Sequence, residues 1–126
     1  NARNARMAQS KALLGQALSI LTTSPNNTQA MCDAVWIMAC SPFQELRDGN
    51  RAVKMAEIAC NMLRDRDPYA LEVLGVAHAE NGSFRRAVDA TRRSAELYQQ
   101  MGKTAKAAAL ANRITLFEHN KPYRDE

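Results

Sequence analysis

The sequence has few of the residues that build metal centres, disulfide scaffolds or catalytic clusters. It contains two histidines and three cysteines among 126 residues, and only 6% of the residues are aromatic. Cys32, Cys40 and Cys60 are odd in number and form no CxxC pair, so we predict reduced, buried thiols, with a disulfide between Cys40 and Cys60 left open. His78 and His119 lie too far apart for a zinc-binding helix. We therefore expect no catalytic residue, no cofactor and no metal.

Long apolar runs are also absent. No stretch approaches the ~18 apolar residues of a membrane-spanning helix, and no signal-peptide pattern is visible. We expect a cytoplasmic protein that does not contact a membrane. The chain begins at Asn1 rather than at methionine, so this expectation allows for the removal of an upstream segment.

The residues that are abundant favour helices. Hydrophobic residues make up 46% of the chain, while only five glycines and four prolines occur, near apparent boundaries. The periodicity predicts one all-α domain with six helices over 3–22, 28–40, 51–64, 68–80, 84–101 and 104–119. We expect Thr28, Asp67 and Ser83 as N-caps, with Pro68 at a first helical position and Gly82 left-handed at a helix end.

A shift of 35 positions superimposes mostly large residues on large ones and small residues on small ones. The residues that recur are Trp36, Ala39, Cys40, Ala52, Val53, Ala59 and Cys60, matched by Leu71, Leu74, Gly75, Ala87, Val88, Ser94 and Ala95. Self-similarity at such a period is typical of stacked helical units that bury their apolar faces against one another.

The second copy resembles the tetratricopeptide repeat, a helix-turn-helix unit of about 34 residues. The residues that carry the resemblance are Leu71, Leu74 and Gly75 in the first helix, Gly82 and Phe84 at the turn, and Ala87 in the second helix. The small residues at 75 and 87 would let two helix backbones approach closely. The resemblance implies antiparallel helix hairpins stacked into a right-handed superhelix.

The match between the chain and this repeat is uneven. Residues 1–24 resemble a half-repeat or N-terminal helix, 33–67 a divergent repeat, 68–101 a well-matched repeat and 103–120 a capping helix, followed by a polar tail over 121–126. The divergent copy retains Trp36, Cys40, Ala52 and Ala59, but Arg47 and Asp48 stand where the turn glycine and its neighbour are expected.

The resemblance implies a non-catalytic scaffold that binds a peptide or helix of a partner protein in a concave groove. It places in that groove Ile37, Met38, Tyr69, Glu72, Val73, Val76, Glu80, Lys106, Leu110 and Arg113. A second interpretation is that Met38, Val73 and Val76 only pack against a neighbouring helix.

Two further functions remain as alternatives. Arg85, Arg86, Arg92 and Arg93 form a basic stripe on one helix, in a chain of net charge +4, which would suit nucleic acid or another polyanion. A solvated helix face is favoured there, because Asp89 interrupts the stripe and no aromatic residue lies within it. The third function is self-association, in which the apolar edge of residues 1–24 is covered by a second copy in a homodimer.

Overall fold

The computed structural model describes all residues from Asn1 to Glu126 and contains six α-helices and no β-strand. The helices are α1 (Ala2–Thr23), α2 (Thr28–Cys40), α3 (Gly49–Met62), α4 (Pro68–Glu80), α5 (Phe84–Gln100) and α6 (Thr104–Glu118), with a 3-10 turn at Gln44–Leu46. The predicted all-α class and helix number are confirmed. None of these helices combines the length and apolar character needed to cross a bilayer.

The α4–α5 hairpin begins and turns at the residues that its sequence predicts. Asp67 is the N-cap of α4, and Pro68 occupies the first turn, where a missing N–H costs no hydrogen bond. Gly82 has a φ of +80°, in the left-handed region. The chain reverses there, and the Ser83 N–H donates to the His78 carbonyl over 2.8 Å, which satisfies one of the last carbonyls of α4.

One of the predicted N-caps is wrong. Asn27 rather than Thr28 caps α2, because the Asn27 backbone is extended and its side chain accepts a hydrogen bond from the Ala30 N–H at 2.9 Å. Ser83 is the N-cap residue of α5, as predicted, but its side chain makes no capping hydrogen bond. Helix α3 also begins and ends about two residues earlier than predicted.

Contacts between α4 and α5 establish that the two helices are antiparallel. Ser94, late in α5, donates its hydroxyl to the carbonyl of Pro68, at the start of α4, over 2.6 Å. Gly75 lies against the earlier part of α5, where an added Cβ would stand 3.3 Å from the Ala87 carbonyl and would overlap the Thr91 hydroxyl. The close approach predicted at positions 75 and 87 is therefore present.

The helices stack in chain order. Each helix packs against the next one, and α2 also packs against α4. The first helices of the two hairpins, α2–α3 and α4–α5, are therefore neighbours. The core cluster has 20 buried residues, and half of them are alanine. Alanine has a small side chain, so an alanine-rich core requires helices that lie close together.

Most predicted repeat positions belong to this core or pack against it. Cys40, Ala52, Ala59, Leu71 and Ala87 are buried, whereas the larger Trp36, Leu74 and Phe84 are partly buried against it.

All three cysteines are buried and free, as predicted. Burial raises the pKa of Cys32 and of Cys60 to about 12. Both side chains are therefore protonated thiols at neutral pH, where they act as small apolar groups.

The turn between α2 and α3, which departs from the repeat pattern, contacts the second hairpin. Asp48 caps α3 by accepting a hydrogen bond from the Arg51 N–H at 3.1 Å. Arg47 donates through Nη1 to the Ser41 carbonyl at 2.8 Å, and its Nε lies 3.3 Å from Glu80 Oε2 at the end of α4. The residues that depart from the repeat pattern thus form a polar link between the hairpins.

Gly75→Ala should destabilise the fold. Alanine improves helix propensity by about 1 kcal/mol, but overpacking against Thr91 costs about 1–3 kcal/mol, so the free energy of unfolding should fall. Gly15→Ala is the matched control, because nothing lies within 4 Å of the added Cβ. It should raise stability by up to about 1 kcal/mol. Denaturant unfolding followed by circular dichroism measures both variants, and equal stabilities would contradict the close crossing.

Candidate functional site

The C-terminal tail, residues 121–126, lies against the helices without helical or strand structure of its own. The Asp125 N–H donates to the carbonyl of Cys40, the last residue of α2, over 2.8 Å. The Asp125 carboxylate accepts a hydrogen bond from Trp36 Nε1–H at 2.7 Å. Because the last carbonyls of a helix have no partner within the helix, the tail satisfies a group that α2 leaves unpaired.

Glu80 holds the tail through an ion pair. Arg124 Nη1 lies 2.7 Å from Glu80 Oε1, while the other carboxylate oxygen faces Arg47. The side chains of Glu80 and Arg124 are 17% and 25% exposed, so water screens this pair less than it screens a pair on the open surface. One carboxylate at the end of α4 thereby binds both the first hairpin and the tail.

Tyr123 is the aromatic anchor of the tail. Its ring centroid lies 5.8 Å from that of Trp36, with the two ring planes at 51°. The Arg113 guanidinium lies 4.2 Å from the Tyr123 centroid and 5.4 Å from the Trp36 centroid. These distances are typical of cation–π contacts, which hold Tyr123 between α2 and α6.

Glu72 is a charged residue with only 1% of its surface exposed. Its carboxylate accepts hydrogen bonds from the Tyr98 hydroxyl at 3.0 Å and from Arg113 Nη1 at 2.9 Å, and Lys106 Nζ lies 3.0 Å away. A buried carboxylate is strongly unfavourable without such partners. Burial, and then the nearby Glu72 charge, raises the pKa of Tyr98, so the phenol stays protonated and its O–H donates a hydrogen bond to the carboxylate.

Arg113 connects this buried cluster to the tail. The same guanidinium that donates to Glu72 also lies over the Tyr123 ring. Its Nε has no hydrogen-bond partner, so one hydrogen bond to Glu72 and the aromatic contacts account for its position. Glu72 therefore orients Arg113, and Arg113 orients the tail.

We call the surface that holds the tail the tail face; it consists of Trp36, Cys40, Glu72, Glu80 and Arg113. Several residues predicted to line a groove lie here, and the structure joins Glu72, Lys106 and Arg113 to one another. Glu72 is therefore not available to a partner. Glu80 is occupied by Arg47 and Arg124.

Four of the apolar residues predicted for the groove do not face solvent. Each is no more than 1% exposed, because neighbouring helices cover it: Met38, Val73, Val76 and Leu110. Their positions agree with the second interpretation, in which such residues pack inside the chain. Ile37 and Tyr69 are only partly buried, and both line a separate groove beside α1.

That separate groove, the α1–α2 groove, has a volume of about 470 Å³. Asp33 lies along it and accepts hydrogen bonds from Gln29 Nε2 at 2.9 Å and from the Tyr69 hydroxyl at 3.0 Å. Burial raises the pKa of Tyr69, and its hydrogen bond to Asp33 raises it further. Leu13 and Ile20 of α1 line the same groove and are 52% and 44% exposed.

The predicted basic stripe on α5 is exposed, but acidic side chains adjoin it. The four exposed residues are Arg85, Arg86, Arg92 and Arg93. Arg93 Nη2 lies 3.6 Å from Asp65 Oδ2, and Asp89 and Glu118 line the shallow depression that contains Arg85 and Arg92. The neighbouring carboxylates reduce the positive potential of the stripe.

The contacts of the tail with the helices are the feature of this site that the sequence does not reveal. The consecutive aromatic, basic and acidic residues Tyr123, Arg124 and Asp125 are the only signal in the sequence. The groups that receive them are distant, with Trp36 and Asp125 89 positions apart. No local pattern links residues at that separation.

Comparison with known proteins found no matching family model, no similar curated protein and no similar solved structure. The resemblance to tetratricopeptide repeats therefore depends on the repeat positions themselves, such as Gly75 and Ala87. The functional inference depends on the tail face and the α1–α2 groove.

Glu72→Gln should destabilise the chain strongly. The amide removes the charge that compensates buried Arg113, and loss of one member of a buried ion pair costs about 3–5 kcal/mol. Glu45→Gln is the control, because its pair with Arg3 at 3.3 Å joins exposed side chains and should leave stability nearly unchanged. Urea unfolding followed by the fluorescence of Trp36 compares the variants, and a small effect of Glu72→Gln would contradict the role assigned to the carboxylate.

Proposed function

We propose that the chain is a non-catalytic interaction module of the tetratricopeptide type, with a right-handed superhelical arrangement of its hairpins. It binds an extended segment of a partner protein on the tail face. The observation that supports this function is the tail itself, which is a non-helical segment bound to that face by a backbone hydrogen bond, an ion pair and aromatic contacts.

The contacts of the tail indicate which partner segment would fit. The Cys40 carbonyl binds a backbone N–H, which any sequence except proline supplies. Trp36 Nε1–H binds a carboxylate, Glu80 binds a cation, and Arg113 binds the face of an aromatic ring. Backbone bonds that give affinity and side-chain sites that give specificity are typical of extended-peptide recognition. The partner segment therefore carries an aromatic, a basic and an acidic residue in succession.

The tail competes with such a partner. Because it is tethered close to the face, its effective local concentration is on the order of millimolar, and a free segment must displace it. A partner therefore binds more tightly to a chain whose tail is not docked.

Releasing the tail from the tail face should make that face available to a separate peptide. The variant Tyr123→Ala, Arg124→Ala, Asp125→Ala keeps the whole chain but removes the three side-chain anchors. A fluorescein-labelled peptide with the sequence of residues 121–126 should bind this variant at least about tenfold more tightly than the parent, by fluorescence anisotropy. Circular dichroism verifies that both proteins are folded.

A second substitution tests where the peptide binds. Adding Glu80→Gln to the tail variant should weaken peptide binding by about tenfold, because the arginine loses its charged partner. Glu57→Gln, at an exposed position of α3, should leave it unchanged. If the labelled peptide binds neither the parent nor the tail variant, the tail is only a structural element and the proposal fails.

The second candidate function is polyanion binding by the four exposed arginines of α5. We expect this function to be absent, because Asp65, Asp89 and Glu118 adjoin the stripe. A mixed-sequence oligonucleotide should show no binding at low salt. The stripe would be a polyanion site if the oligonucleotide bound, if binding weakened steeply at higher salt, and if the double variant Arg85→Gln, Arg92→Gln abolished it.

A further inference from the structure

The α1–α2 groove presents an apolar surface that no other helix covers. Helix α1 packs chiefly against α2, whereas α2 is covered by α3 and α4 as well. Two large apolar side chains of α1 remain exposed along the groove, Leu13 and Ile20. They are seven positions apart, which places them on one side of the helix about two turns from each other. This spacing matches the apolar contacts that one helix makes with another.

The charged side chains of the groove are both acidic, Asp33 and Asp125. Both hydrogen bonds to Asp33 go to Oδ1, which leaves Oδ2 free. Asp125, at the other side, accepts the Trp36 hydrogen bond through Oδ2, which leaves Oδ1 free. Neither carboxylate has a basic partner within the chain, and the groove contains no lysine or arginine. In a chain of net charge +4, the groove therefore has the opposite sign to the protein as a whole.

A comparable set of polar contacts already joins three helices of this chain. Helix α4 projects Glu72 onto Tyr98 of α5 and onto the basic residues Lys106 and Arg113 of α6. The α1–α2 groove contains the first two of these groups, since Asp33 is a fixed acidic residue that accepts a hydrogen bond from the Tyr69 hydroxyl. A helix seated there would supply the cation.

We propose that the α1–α2 groove binds an amphipathic helix of a partner protein that carries a lysine or arginine on its apolar side. The apolar side chains contact Leu13 and Ile20, and the cation binds between Asp33 and Asp125. This surface differs from the tail face, and the inference does not depend on the peptide function proposed above. Trp36 belongs to both surfaces, however, and the Asp125 carboxylate that it binds borders the groove when the tail is docked. A docked tail therefore favours the helix and opposes the extended peptide.

Two designed helical peptides test the charge requirement. Each is a labelled, hydrocarbon-stapled helix of about 15 residues with leucines spaced three, four and seven apart; one has a central lysine and the other a glutamate at that position. Anisotropy with the full chain at low salt should show at least about tenfold tighter binding of the lysine peptide. Equal binding of the two peptides would overturn the proposal.

Substitutions in the protein locate the site. Asp33→Asn and Ile20→Ser should each weaken binding of the lysine peptide by about tenfold, because the first removes a charge and the second removes an apolar contact. The matched controls, Asp65→Asn and Ile58→Ser, change exposed residues away from the groove and should have no effect. Equal losses from Ile58→Ser and Ile20→Ser would indicate non-specific adsorption and would also overturn the proposal.

Two further outcomes separate this inference from its alternatives. Asp125→Ala should weaken binding of the lysine peptide and strengthen binding of the separate 121–126 peptide. Because the two peptides should respond in opposite directions, each proposal can succeed or fail without the other. Sedimentation equilibrium tests the other occupant of the groove. Two results together would assign the groove to a second copy of the chain and overturn the partner-helix proposal: the parent chain forms a dimer that Ile20→Ser dissociates, and it fails to bind the lysine peptide.

Discussion

The buried carboxylate of Glu72 is the interaction on which the second half of the molecule depends. It lies on α4 and is bound by Tyr98 of α5 and by Lys106 and Arg113 of α6, so one charge joins three helices. Without these partners, burial of the carboxylate would be strongly unfavourable. The same cluster sets the direction of Arg113, whose guanidinium lies over Tyr123 and so reaches the tail.

Close helix packing makes this arrangement feasible. Gly75 and an alanine-rich core let the helices approach closely, and the polar groups then meet over short distances without water between them. The tail adds a second set of contacts, from Asp125 to α2 and from Arg124 to α4. As a result, the chain has one surface occupied by its own tail and one open acidic groove beside α1. Both proposed functions follow from this division.

Residues whose partners lie nearby in the sequence were predicted well, whereas residues of the site were not. Asp67 and Gly82 have roles that involve neighbouring backbone groups, and both occur as expected. The resemblance to the repeat family places Val73 and Val76 in a groove because they lie on the first helix of a hairpin, yet both are buried. A helical pattern indicates which residues share a face, but it does not show what covers that face.

Six helices, most of their ends and the small residues at which two helices cross can be predicted from the amino-acid sequence. They can be predicted because propensity, capping and turn conformation depend on residues within about one helical turn. The burial of Glu72, the binding of the tail and the position of Asp33 and Asp125 at one groove depend instead on how the helices pack. Those features join residues as far apart as Trp36 and Asp125, 89 positions from each other, and such pairs meet only after the helices have stacked.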